Sequence, residues 1–355
     1  MNKDRVQSIV DTAERDPSAV DIDEARSALD HPDAQIRNGV LYSLKQVADD
    51  DVQRVRRYLD DIAPLLSDNE ETNRNLAAAI FQEAAKVDPN RITDYFPDLA
   101  PLLDDPNEYT RHYAAFTFSE VSKRDPRQIR RYLSDLAPLL DDPNETTRNF
   151  VTFALNQFAK ERPARVLDWL SGLALRLDDT NEYTRHYAMS AFKEVARDHP
   201  REVRQYLTAI VSRIEDSVEE TRNFAAFVVK EIVETDPEAV LDHLATLSVG
   251  LRDQNEYVRH YTVYTFHEVA QVNPGRVATF VDGLEPLTDD PNENTCDFSE
   301  ATLDEIDAET RVDPDPGSGS LETEPIEKSE TVVWDGSDDT EIEDSTSDTK
   351  IYDPE

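Results

Sequence analysis

Residues 101–121 read PLLDDPNEYTRHYAAFTFSEV, from Pro101 to Val121, and versions of this stretch recur along the chain. Its arginine keeps one period: Arg37, Arg74, Arg111, Arg148, Arg185, Arg222 and Arg259 stand 37 residues apart, and Cys296 takes the next place. Six residues before the arginine, every copy from the second onward carries an aspartate: Asp68, Asp105, Asp142, Asp179, Asp216, Asp253 and Asp290. The first copy has His31 there instead. Self-similarity at a fixed period of this size is the signature of a helical solenoid, in which each unit buries its apolar face only against its neighbours.

Working outward, each unit reads as a pair of helices. In the third copy the first helix starts near Asn90 and ends in Asp98-Leu-Ala-Pro-Leu-Leu103. Asp104-Asp105-Pro106-Asn107 makes a turn, the second helix follows, and Asp125-Pro126 closes the unit. Aspartate accepts from free helix N–H groups and proline fits the first helical position, so each such pair can start a helix. The between-repeat prolines, Pro89, Pro126, Pro163, Pro200, Pro237 and Pro274, share the period of 37. Pro64, Pro101, Pro138 and Pro286 fall inside the first helix and should bend it. Leu175, Ser212 and Val249 replace that proline in later copies, which predicts straighter first helices there.

PLL or a variant, then Asp, then Thr/Val-Arg, a small residue and an apolar i, i+4 run resembles the pattern of the HEAT-repeat family over about residues 22–311. The resemblance implies an all-α, right-handed alpha-alpha superhelix of HEAT-like or armadillo type. It also implies second helices along the concave surface and Asp/Arg pairs that bridge neighbouring repeats. Residues 1–21 are expected to form a capping helix, with Val6, Ile9, Val10 and Ala13 at helical spacing. Residues 22–311 then hold seven to eight helix pairs, the eighth made polar by Thr295, Cys296, Ser299 and Asp304 as a terminal cap. Residues 312–355 carry 15 acidic residues against 2 lysines, the composition of a disordered acidic tail. A second period of 74 overlies the first: EYTRHYAAFTF, EYTRHYAMSAF and EYVRHYTVYTF begin at Glu108, Glu182 and Glu256, and the copies between carry Arg-Asn.

The formal charge of -39 covers the whole chain, and only 9 of its 37 basic residues are lysine. So general an excess of carboxylate reads as adaptation to molar salt, where the Debye length shrinks to roughly 3 Å, rather than to a ligand. It disfavours nucleic acid as a partner. Cys296 is the single cysteine, so neither an internal disulfide nor a Cys-based zinc site is expected. No run approaches the roughly 20 apolar residues of a membrane span, and the start lacks an apolar signal core. A cytoplasmic protein is the expectation.

The Asp/Arg pairs could be a row of arginines for anionic ligands. The ladder reading is preferred, because a fixed stacking register needs a directional contact. It takes in Asp68, Arg74, Asp105, Arg111, Asp142, Arg148, Asp179, Arg185, Asp216, Arg222, Asp253 and Arg259. His112, His186 and His260 are two repeats apart, roughly 20 Å at 8–10 Å per helix, too far to share one metal ion. No catalytic constellation, metal set or cofactor motif is found.

On a helical wheel Thr110, Ala114, Thr117, Phe118 and Val121 form the buried face of the third second-helix. The opposite face carries His112, Phe116, Ser119 and Lys123. Other copies place Asn149, Phe153, Asn156 and Lys160 there, or His186, Ser190, Lys193 and Arg197, or Asn223, Phe227 and Lys230, or His260, Tyr264 and His267. All six lysines between residues 4 and 311 (Lys45, Lys86, Lys123, Lys160, Lys193 and Lys230) fall in two phases of this face. Cations and aromatics sharing a face are typical of recognition surfaces. The competing reading is that the lysines complement the helix dipole and the aromatics pack against adjacent repeats. In the tail, Thr331-Val-Val-Trp334-Asp and Thr349-Lys-Ile-Tyr352-Asp share one form 18 residues apart, which suggests paired linear motifs anchored by Trp334 and Tyr352.

These readings lead to a non-catalytic scaffold or adaptor that binds a protein or peptide, acidic with apolar anchors, along the concave face. The alternatives are an enzyme like the bilin-lyase and DNA-repair glycosylase relatives that the family resemblance brings, or direct nucleic-acid binding through the lysine-lined groove.

Overall fold

The computed structural model describes residues 1–311, with side chains to residue 308. The tail, with Trp334 and Tyr352, lies outside the described residues. The described chain is all-α, a right-handed α-α superhelix of stacked helix pairs, with no strand among the described residues.

A helix at Lys3–Arg15 covers the start, its Val6, Ile9 and Ala13 buried against the second helix of the first repeat, Ala34–Val55. Gly39 permits this close approach: a Cβ there would lie 2.5 Å from Val6 Cγ1. The later second helices run Glu71–Val87, Glu108–Arg124, Glu145–Glu161, Glu182–Asp198, Glu219–Val233, Glu256–Val272 and Glu293–Arg311. Each packs on the next, giving one continuous layer. Thr110, Ala114, Thr117, Phe118 and Val121 are all buried, so the wheel placed the core face of the third repeat correctly.

The first helices differ from expectation. In the third repeat that segment breaks into Pro89–Ile92, a 3-10 turn at Thr93–Tyr95, Phe96–Leu99 and a 3-10 stretch at Ala100–Asp104. Pro101 stands at the start of the last piece, where its missing N–H costs no helical bond. The copies without this proline are not straight. Ser212–Glu215 and Ser248–Arg252 are still 3-10, and the longest α-helical piece is Leu170–Arg176. The whole segment, rather than the proline alone, is wound tightly. The capping role of the Asp-Pro pairs is also partial. Asp125 accepts from the Arg127 N–H at 3.2 Å, whereas Asp88 caps no N–H and instead pairs with Arg56 at 3.4 Å.

The register of the stack is set by the arginines. Arg111 reaches forward, and its Nε donates to Asp142 Oδ2 of the next repeat at 2.6 Å. Its Nη1 donates back to the Asp105 carbonyl oxygen of its own turn at 2.9 Å. That explains the spacing of six: the aspartate carbonyl is held by the arginine of its own repeat and its carboxylate by the arginine of the preceding one. Asp105 Oδ1 also accepts from the Asn107 N–H at 2.9 Å, and Asn107 in turn caps the second helix through the Tyr109 and Thr110 N–H groups. Nε–Oδ2 distances are 2.6 Å for Arg37–Asp68, Arg74–Asp105 and Arg259–Asp290, and 2.7 Å for Arg148–Asp179, Arg185–Asp216 and Arg222–Asp253. Both ends improvise. His31 offers its carbonyl to Arg37 at 2.7 Å, and the Cys296 thiol donates to the Asp290 carbonyl at 2.9 Å.

The Asp142 side chain is 2% exposed and that of Arg111 16%. Removing one partner of a desolvated pair strands the other, at a cost of about 3–5 kcal/mol. Asp142→Ala is expected to lose roughly that much. Asp142→Asn should lose less, since its amide oxygen can still accept from the Asn144 N–H, now bonded at 2.8 Å. Urea denaturation at fixed high salt measures both, and equal losses for the two variants would contradict this account.

Candidate functional site

The second helices lie side by side, so positions read from a single helix as open face partly fall in the seams between helices. Asn149 is 7% and His186 9% exposed; both are buried, which corrects their placement on an open groove. Ser119, Asn156 and Ser190 are buried as well. Lys123 and Lys160 are exposed, and His112, Phe116, Phe153, Asn223, Phe227, His260 and Tyr264 are half-buried.

The aromatics pair across the seams. Phe116 meets Phe150 edge-on with ring centroids 4.9 Å apart, Phe153 meets Tyr187 at 5.0 Å, Phe227 meets Tyr261 at 5.6 Å, and Tyr264 meets Phe298 at 5.0 Å. Edge-to-face contact sets the positive ring edge against the negative ring face. These rings are therefore packed between repeats rather than standing free, which corrects the aromatic stripe proposed from sequence. The wheel misses the partner rings Phe150, Tyr187, Phe224, Tyr261 and Phe298, although with Tyr113 they recur at the same period of 37. In the fifth repeat Ser190 leaves Phe224 without its ring. His186 still meets Phe224 at 5.4 Å, as His112 meets Phe150 and His260 meets Phe298, and the Lys193 ammonium lies 4.6 Å from the Phe224 centroid.

The lysines are also engaged within the chain. Lys86 pairs with Glu83 at 2.8 Å, Lys193 with Glu194 at 3.6 Å, and Lys230 with Glu231 at 3.0 Å and Glu234 at 2.8 Å. Lys86 and Lys230 also sit over Phe116 and Tyr264, 5.5 and 5.7 Å from the ring centroids. The strip is thus a mixed one of cations, carboxylates and rings, not a simple basic groove. It nonetheless gathers cations on a chain that is otherwise strongly acidic.

Along the same seams runs a set of buried polar atoms with no hydrogen-bond partner among the described residues: His112 Nδ1, Asn149 Oδ1, Asn156 Oδ1, His186 Nδ1 and His260 Nδ1. Native proteins pair most such groups, because an unpaired one keeps its full desolvation cost. Burial holds the imidazoles of His112, His186 and His260 neutral by lowering their pKa values, that of His112 to about 4. Among the described residues no group of His, Cys, Asp and Glu is arranged to hold a metal, and no helix is long and apolar enough to cross a membrane.

No protein-family model and no curated protein matches the sequence. Solved structures do resemble the fold. An engineered protein from the Northeast Structural Genomics Consortium aligns at 15% identity and a TM-score of 0.61, over 81% of this chain and 78% of its own. A computationally designed armadillo repeat protein for modular peptide recognition aligns at 22% identity and a TM-score of 0.51, over 59% of this chain and 99% of its own. A second engineered protein from the consortium aligns at 16% identity and a TM-score of 0.50, over 62% of this chain and 97% of its own. At these identities the likeness is one of fold: this chain is a helical repeat solenoid of armadillo-like architecture.

Two outcomes follow from the seams. Phe116→Ala and Phe150→Ala, made singly and together, should show a coupling energy of about 1 kcal/mol in urea denaturation; additive losses would remove the pairing. For His112 the folded state stays neutral while the unfolded chain binds a proton near pH 6.5. Stability should therefore fall as pH drops from about 6.5 towards 4, by on the order of 2–3 kcal/mol for this residue. The stability of the wild type relative to His112→Phe should decline by about that amount between pH 7 and about 4; parallel curves would contradict the burial effect.

Proposed function

We propose that this protein is a non-catalytic scaffold that holds an extended segment of a partner protein along the face of its second helices. The observation that carries this reading is the gathering of lysines and half-buried rings along the second-helix face of a chain that is otherwise strongly acidic. The rings supply apolar contact and the lysines charge. We propose a partner segment that is acidic with apolar anchors, its carboxylates competing with Glu83, Glu194 and Glu231 for the lysines. The similarity in fold to an armadillo repeat protein designed for modular peptide recognition supports this reading.

We further propose that the repeats are of HEAT type and that the protein works in the cytoplasm of an organism that accumulates molar salt. The Thr/Val-Arg spacing and the -39 charge support these two assignments.

The test uses residues whose change leaves the seams intact. Lys123 and Lys160 are exposed, and Lys123→Glu with Lys160→Glu reverses the charge of the strip without removing a ring. In affinity capture from native lysate at native salt, the wild type is expected to retain a partner protein that the double variant loses by about tenfold, a difference of roughly 1.4 kcal/mol. Circular dichroism and melting should match the wild type. A partner held equally by a folded double variant would place binding elsewhere.

A further inference from the structure

Where one repeat ends and the next begins, at the edge opposite the ladder, several copies carry a second kind of ion pair. Arg56 Nη1 donates to Asp88 Oδ2, 32 residues on, at 3.4 Å. Arg204 pairs with Asp236 at the same spacing. A third arginine reaches back instead: Arg276 Nη2 lies 3.7 Å from Asp242 Oδ1 of the preceding repeat. In each case one guanidinium meets one carboxylate across the boundary.

Between the fourth and fifth repeats both acids are replaced. Arg130 stands 74 residues from Arg56 and from Arg204, and Arg162 takes the place of Asp88 and Asp236. The backbone at Arg162 (φ -147°, ψ 65°) matches that at Asp88 (φ -144°, ψ 64°), so the two side chains leave the chain alike. Arg165 likewise stands in the place of Arg276, and Arg131 in that of Asp242. All four arginines are exposed, and none of their side chains makes a hydrogen bond or ion pair with a described residue. Two pairs of arginines thus stand where other boundaries hold arginine–carboxylate pairs, on a chain whose formal charge is -39. Like charges so placed repel, and an anion set between them relieves the repulsion.

We propose that this boundary docks an acidic segment of a partner protein, whose carboxylates supply the two that the fourth and fifth repeats lack. The chain itself shows the chemistry. Asp88, Asp236 and Asp242 place a carboxylate at the equivalent positions. Asp179 shows that one carboxylate accepts from two guanidiniums, those of Arg148 at 2.7 Å and Arg176 at 3.1 Å. The planar guanidinium fork matches a carboxylate in geometry as well as charge. Two such pairs side by side favour neighbouring acidic residues over a single small anion, because the second contact is then intramolecular. The site lies beyond the ends of the second helices and does not depend on what their strip binds.

The probes are acetyl-tetra-aspartate amide, its tetra-asparagine counterpart and inorganic phosphate. They are titrated into the full chain at one fixed salt concentration and followed by the arginine Nε–H signals in NMR. Tetra-aspartate is expected to shift Arg130, Arg131, Arg162 and Arg165 saturably, with phosphate about tenfold weaker because it spans one pair only. Tetra-asparagine should shift none of them. Arg131→Asp with Arg162→Asp supplies both carboxylates from within. This variant should bind tetra-aspartate about tenfold more weakly and melt no lower than the wild type. Arg201→Asp with Arg252→Asp makes the same change of charge at two other exposed arginines and should alter binding by less than about twofold, since distant charges are screened. The proposal is overturned if tetra-aspartate gives no saturable shift or shifts arginines all over the chain. It is overturned equally by phosphate that binds as tightly, or by a loss no greater in the first variant than in the second. An Arg131→Asp, Arg162→Asp chain that melts below the wild type would overturn the equivalence of the boundaries on which the site rests.

Discussion

The bridge from each arginine to the aspartate of the next repeat is the constraint on which the stack depends. A solenoid has no long-range contacts to correct its register, since every unit touches only its neighbours. Apolar seams are tolerant of sliding because dispersion and burial are weakly directional. A guanidinium bonded to a carboxylate ahead and a carbonyl behind is not tolerant. Arg148, bonded to Asp179 through both Nε and Nη2 and to the Asp142 carbonyl, admits one offset between two repeats. The net gain in stability from such a pair is modest, because desolvation offsets attraction; what it contributes is the choice of one arrangement.

Burial of the ladder also bears on the composition. Exposed ion pairs lose their attraction when salt shortens the Debye length, but pairs out of water are screened much less. The ladder aspartates are at most 9% exposed in their side chains, so their bonds stand apart from the screened surface charge. Carboxylates elsewhere on the chain, in contrast, repel one another, and salt relieves that repulsion. One residue type thus has two opposite effects according to whether an arginine faces it.

The seams show how a face changes meaning on stacking. Alone, the helix Glu145–Glu161 exposes Asn149 and Phe153; between its neighbours Asn149 is buried and Phe153 rests on Tyr187. What is left at the surface is a strip where half-buried rings and lysines alternate, with the unpaired imidazole and amide atoms buried beneath it. Such a strip is pre-formed, so a partner binding there pays little to order the scaffold itself.

The period of 37 determined the helical repeats and the place of the turns, and the helical wheel the core face of the third second helix, because periodicity and the types of residue that fill a core are local properties of the chain. Thr110, Ala114 and Phe118 could be assigned from spacing alone. The sequence also placed an aspartate six residues before each arginine from the second copy onward, but not whether its carboxylate would meet the arginine of the preceding or of the following repeat. Only the stack decided that Arg111 takes the carbonyl of Asp105 and the carboxylate of Asp142. The same holds for the rings, whose partners lie 34 residues away along the chain, and for the tightly wound 3-10 turns of the first segments. Contacts between repeats depend on the distance and angle between stacked helices, which no single helix contains.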